Sequence, residues 1–199
     1  MVKVKICGLK RSEDIKYVNA LKPDYAGFVF AKSKRQVTLS EAGELIANLN
    51  KGIKKVGVFV DEDIEKVKDA SFALKLDIIQ LHGNEPNEYI KKLNGYEVWK
   101  AVSIKSHEGI KRLKQYNADA ILLDQGGGGT GISFDWDIIK GISVNTPIIL
   151  AGGLNSQNVE DAIKTVKPYA VDVSSGVETD GFKDCSKIYD FIKKARSLY

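Results

Sequence analysis

Cys7 and Asp124 are the residues of this chain whose types and positions suit them to do chemistry together. Cys7 closes the apolar run VKVKIC ahead of Gly8, and Asp124 closes AILLD ahead of four glycines. A thiol and a carboxyl group can serve as proton acceptor and proton donor. Their ordinary pKa values, ~8.5 and ~3.9, lie on either side of neutrality and move with burial and nearby charge. Neither sits among ligand-type side chains at metal-binding spacing. The chemistry to expect is acid–base, with no metal and no cofactor.

Each residue also has a plainer explanation. A lone Cys7 would usually be a small buried hydrophobe. Asp124 could merely cap its glycine-rich loop, and His82 could brace one. Cys185, near the start of a helix, reads as structural. His107 reads as a solvated helix-start residue, and Trp99 and Trp136 as packing. Only the combination favours function.

The elements that must position these groups recur regularly. Eight β-rich runs lie at 2–7, 25–30, 54–60, 76–81, 97–101, 118–124, 147–151 and 169–173. Amphipathic patterns separate them, for example at 40–50, 85–93, 108–116, 159–166 and 184–195. Another follows the acidic turn Asp61-Glu62-Asp63, which suits a helix N-terminus. Strand–helix alternation with apolar strands implies a parallel sheet covered by helices. Eight units can close into a (β/α)8 TIM barrel, here shorter than the ~250 residues usual for that fold. An open doubly wound sheet would carry an early GxGxxG, and Cys7-Gly8-Leu9-Lys10 does not match it. The expected architecture is α/β, one (β/α)8 barrel domain over residues 1–199.

In such a barrel, function gathers where the strands end. Those ends carry Cys7, Arg35 shortly after Phe30, His82, Asp124, Gly152-Gly153 and Ser175-Gly176. The last two loops have the small residues that let backbone amides approach a phosphate. Alternation puts Lys5 on the same face as Cys7, inside the barrel beneath it. A buried ammonium needs a partner. Asp172 in the eighth run faces inward beside the first, so a Lys5–Asp172 pair is expected. Its positive end would favour the Cys7 thiolate.

Composition excludes several classes. Hydrophobic residues at 43% and charged residues at 28% are ordinary for a globular protein. No apolar stretch approaches the ~18 residues of a membrane helix, and no signal-peptide pattern opens the chain. A cytoplasmic location is expected. The net charge of +4, from 30 basic and 26 acidic residues, is dispersed. It forms no basic stripe of the kind that nucleic acid requires. Two cysteines are too few for a disulfide scaffold.

The motifs KICG (5–8), GFVF (27–30), Arg35, QLHG (80–83), LLDQGGGGTGISFDW (122–136), LAGGL (150–154) and VDVSSGVE (171–178) occur in that order. Together they resemble the phosphoribosylanthranilate isomerase family of tryptophan biosynthesis, across essentially the whole chain. The resemblance implies a (β/α)8 barrel that converts N-(5'-phosphoribosyl)anthranilate to 1-(o-carboxyphenylamino)-1-deoxyribulose 5-phosphate without metal or cofactor. It implies Cys7 as general base, Asp124 as general acid and Arg35 as the holder of the anthranilate carboxylate. Backbone around Gly152-Gly153 and Ser175-Gly176 would hold the phosphate, and Gly129 and Gly131 would let the sixth loop wrap the substrate. His82 joins the expected substrate contacts. The roles call for a raised carboxyl pKa and a lowered thiol pKa. The chain departs from the family pattern at Lys34, Ser156 and Asp180, where prolines are common; none of these removes a reacting group. The expected partner is a small phosphoribosyl substrate, with neither nucleic acid nor membrane, and either a monomer or a homodimer fits.

Two rivals remain open. The related isomerase of histidine biosynthesis resembles a design with an aspartate base on the first strand and a second phosphate loop, whereas this chain has Cys7 and Arg35. A non-catalytic phosphometabolite-binding barrel would be expected to have lost its acid or its base.

Overall fold

Most of the strand runs are apolar along their length, so most strands must be covered on both sides. The sheet meets this requirement by closing. The computed structural model describes residues 1–104, 113, 115–124 and 145–197. Its barrel strands are β1 (Lys3–Cys7), β2 (Tyr25–Val29), β3 (Lys54–Phe59), β4 (Ile78–Leu81), β5 (Glu97–Ser103), β6 (Ala120–Asp124), β7 (Ile148–Leu150) and β8 (Ala170–Val173). They pair in parallel in chain order, and β8 returns to β1 to close the barrel. All eight expected strands are present, with ends shifted by one or two residues.

Around them lie α1 (Ser12–Leu21), α2 (Leu39–Ala47), α3 (Ile64–Leu74), α4 (Asn87–Lys91), α5 (Val159–Val166) and α6 (Cys185–Arg196). Their starts are capped locally. Asp63 accepts from the amides of Glu65 and Lys66, and Asp184 from those of Ser186 and Lys187. Thr38 and Glu41 form a reciprocal capping box on α2. The expected helix over 108–116 lies largely outside the described residues. So do His107, Gly129, Gly131, Asp135 and Trp136.

Alternation along the strands builds two cores. Inside the barrel pack Tyr25, Val56, Ile78, Trp99, Ala101, Ala120, Leu122, Ile149, Ala151 and Ala170. Trp99 is fully buried and meets Tyr25 edge-on, as a packing residue should. The alternate residues, among them Val4, Ile6, Phe28, Ile79, Leu123 and Val171, face the helices. The sequence pattern did not suggest the structure of the segment after β8. There a short 3-10 turn, Ser175–Val177, leads into a two-stranded hairpin of β9 (Glu178–Thr179) and β10 (Phe182–Lys183) over the barrel mouth.

Candidate active site

At the end of β1, Cys7 lies opposite Gly27 of β2. A Cβ on Gly27 would stand 2.8 Å from the Cys7 sulfur, so the glycine makes the room that the thiol occupies. Gly8, with φ +81°, then turns the chain out of the strand. Its amide and that of Leu9 both donate to the Gly27 carbonyl, and the Ser174 hydroxyl donates to the Cys7 carbonyl at 2.9 Å.

Beneath the thiol, Lys5 and Asp172 sit side by side in the β1–β8 register. Their ion pair is 3.0 Å long, with Lys5 fully buried. This is the pair that alternation predicts. Burial alone would pull the Lys5 pKa down, but Asp172 and Cys7 outweigh it and hold it above the ordinary lysine value.

The expectation of a lowered thiol pKa needs correcting. Burial pushes the Cys7 thiol up more strongly than Lys5 pulls it down, and Asp172 pushes it further up. Lys5 does favour the thiolate, as expected, but its own counter-ion and the dry surroundings reverse the net direction.

Asp124, at the end of β6, faces a cavity of about 80 Å³. Arg35, Ala151, Gly152, Gly153, Asp172, Ser174 and Ser175 share its wall. Gly152 and Gly153 have φ of +81° and +66°, conformations that turn successive amides in a way other residues rarely allow. Gly176 is close-packed, since a Cβ there would meet the Leu154 carbonyl oxygen at 1.9 Å. The two loops expected to hold phosphate therefore lie against each other, beside the acid. A cavity of about 550 Å³ lies outside the barrel between α1 and α2, lined by residues including Ser12, Asn19, Glu44 and Asn48. It holds none of the candidate reacting groups.

His82 bridges inward from β4. Its Nε2 stands 3.4 Å from an Asp124 carboxylate oxygen, and its Nδ1 is 3.0 Å from the Gln80 amide nitrogen. The imidazole thus lies between the Gln80 amide and the Asp124 carboxylate. Gln80 is buried, and its Oε1 lacks a hydrogen-bond partner. Below the same loop, Glu85 accepts from the amides of Asp61 and Gly83 and pairs with buried Lys100 at 2.8 Å.

Arg35 projects to the same mouth. Glu178 grips it side-on, with Nε and Nη2 each donating at 2.7 Å. Neither Glu178 nor its second partner Lys183 stood among the expected site residues. Cys185 is exposed at the start of α6. Among the described residues, no group of three or more His, Cys, Asp or Glu side chains could hold a metal ion.

An acid and a thiol at two strand ends, a fixed arginine and two small-residue loops have the chemistry to receive an anionic sugar. The family model for N-(5'-phosphoribosyl)anthranilate (PRA) isomerase matches residues 4–194. The chain belongs to this family. It is 54% identical over 202 residues to the N-(5'-phosphoribosyl)anthranilate isomerase of Thermoanaerobacter pseudethanolicus, and 56% identical over 204 residues to that of Clostridium acetobutylicum. Each alignment covers all of both chains. Among solved structures it resembles phosphoribosyl anthranilate isomerase from Thermotoga maritima, at TM-score 0.94 and 41% identity over 100% of both chains. Another isomerase of this kind, solved with reduced 1-(o-carboxyphenylamino)-1-deoxyribulose 5-phosphate, matches at TM-score 0.87 and 39% identity, again over 100% of both.

Proposed function

We propose that this chain isomerises N-(5'-phosphoribosyl)anthranilate to 1-(o-carboxyphenylamino)-1-deoxyribulose 5-phosphate in tryptophan biosynthesis. It would act as a single barrel domain in the cytoplasm, as a monomer or a homodimer. The observation that carries this is the gathering of Asp124, Arg35, Asp172 and the Gly152-Gly153 and Ser175 loops around one cavity, with Cys7 at the end of β1, the strand paired with β8. Substrate phosphate occupies the amides of the last two loops, and Arg35 takes the aromatic carboxylate. Holding both anionic ends fixes the sugar between acid and base, which is where positioning contributes most.

Asp124, protonated, gives its proton to the ribose ring oxygen. The C1'–O bond breaks and the anilino nitrogen lone pair forms an iminium. Cys7, as thiolate, then removes the proton from C2'. That C–H electron pair becomes the C1'=C2' bond, and the iminium electrons return to nitrogen. The resulting enolamine moves its hydroxyl proton to C1' overall, giving the ketone. Asp124 ends as carboxylate and Cys7 as thiol, so a proton must pass back from sulfur to carboxylate, through solvent, before the next turnover.

Loss of substrate fluorescence as phosphoribosylanthranilate is consumed tests the activity. Cys7→Ala and Asp124→Ala should each fold normally and lose on the order of 100- to 10,000-fold in turnover. Wild-type-like rates in either variant would remove that residue from the mechanism.

A further inference from the structure

Arg35 is held by side chains that the isomerisation leaves unused. Glu178 engages its Nε and Nη2 at 2.7 Å each. Lys183 donates to the same carboxylate at 2.7 Å, and also to the Ser174 carbonyl at 3.0 Å and the Ser174 hydroxyl at 3.3 Å. Three acceptors match the three hydrogens of an ammonium. The Lys183 side chain is 1% exposed, that of Glu178 9% and that of Arg35 27%. Of the three charged side chains, Arg35 is the most exposed, and it lines the cavity beside Asp124.

The hairpin is itself fixed from below. Arg11 donates to the Lys183 carbonyl at 3.0 Å and lies over the Phe182 ring, 4.4 Å from its centroid. On the other side, the aliphatic arm of Arg35 rests on Gly8. A Cβ at Gly8 would come within 2.4 Å of the Arg35 Cδ, so no larger residue fits beneath it.

A guanidinium has five N–H donors in a planar fork. The side-on grip uses Nε–H and one hydrogen of Nη2, which leaves the Nη1/Nη2 edge for a second carboxylate. Charge decides whether that edge stays attractive. Glu178 alone would neutralise Arg35, but with Lys183 the trio holds two cations and one anion, a net +1. We propose that Glu178, charge-balanced by Lys183, is a positioning residue that aims the outer edge of Arg35 at the aromatic carboxylate of the substrate. This rests on Arg35 being the carboxylate holder, and it adds what fixes the orientation and preserves the charge.

Two ligands separate the roles: reduced 1-(o-carboxyphenylamino)-1-deoxyribulose 5-phosphate, and the same compound lacking the carboxylate. Binding of each is measured by calorimetry on the full chain, its fold checked by thermal melting. Glu178→Gln should weaken the carboxylate-bearing ligand by about tenfold, the scale of a charge-assisted hydrogen bond, and leave the other within error. In an Arg35→Ala background the same substitution should change neither. Glu178→Asp, which keeps the charge on a shorter arm, should fall between wild type and Glu178→Gln; it also carries the test if the glutamine variant fails to fold. Equal weakening of both ligands would mean general loop damage and overturn the proposal. Tighter or unchanged binding of the carboxylate-bearing ligand would overturn it too. If Arg35→Ala itself does not discriminate between the ligands, the carboxylate role of Arg35 fails first and the proposal falls with it.

Discussion

A thiol that takes a proton from carbon must be a thiolate at that moment, and Cys7 rests in surroundings that oppose this. Burial raises its pKa; Lys5 lowers it, though by less. On the proposed mechanism Cys7 acts only once deprotonated, so kcat/KM should keep rising as pH increases above neutrality. A pH–rate profile that levels off near neutrality would show instead that Lys5 dominates. Close to the sulfur, Gly27 leaves the thiol its space. Gly27→Ala puts a methyl 2.8 Å from the sulfur and should lower kcat well before it unfolds the chain. Comparing turnover with the melting temperature checks the order of those losses.

Elements, rather than single residues, set the aim of His82 and Arg35. The loop after β4 carries His82 and is fixed from below by Glu85, which takes two backbone amides and pairs with Lys100. Both partners of that pair are almost wholly buried. Removing one leaves the other charged and unpaired. Lys100→Met should cost about 3–5 kcal/mol, measured by urea denaturation, and loosen His82 against Asp124. A cost near zero would mean that Glu85 reprotonates or rotates out to water. The hairpin of β9 and β10 plays the corresponding part for Arg35. Glu178 and Lys183 stand in register at its base and so reach the same guanidinium.

Across the whole molecule, β1 and β8 are the seam where the barrel closes. Two ion-pair groups, Lys5–Asp172 and Arg35–Glu178–Lys183, lie on or above it. Burial would raise the Glu178 pKa, but hydrogen bonds from Arg35 and Lys183 hold it down at about 2, against an ordinary value of 4.5. A folded-state pKa below the unfolded one contributes stability above about pH 4.5, which is lost as pH falls from there towards 2. Thermal melting in acid should show this loss in the wild type and a flatter dependence in Glu178→Gln. Identical slopes would place the acid sensitivity elsewhere.

Much of the barrel and its site was readable along the chain. Cys7, Asp124 and the paired glycine loops end apolar runs, and a local pattern of that kind specifies a strand exit. Lys5 and Asp172 were readable as partners because strand alternation is strict and closure makes the first and eighth strands neighbours. Gln80 shares that alternation with His82 and was within reach of the same logic. What only the tertiary structure decided depends on distance in three dimensions. Glu178 reaches Arg35 across 143 residues, and Lys183 joins it from the same hairpin, which lacks strand-like periodicity. The direction of the Cys7 pKa depends on how much water the closed barrel excludes. Sequence determines which groups can meet; desolvation and long-range approach decide which charges they carry once they have met.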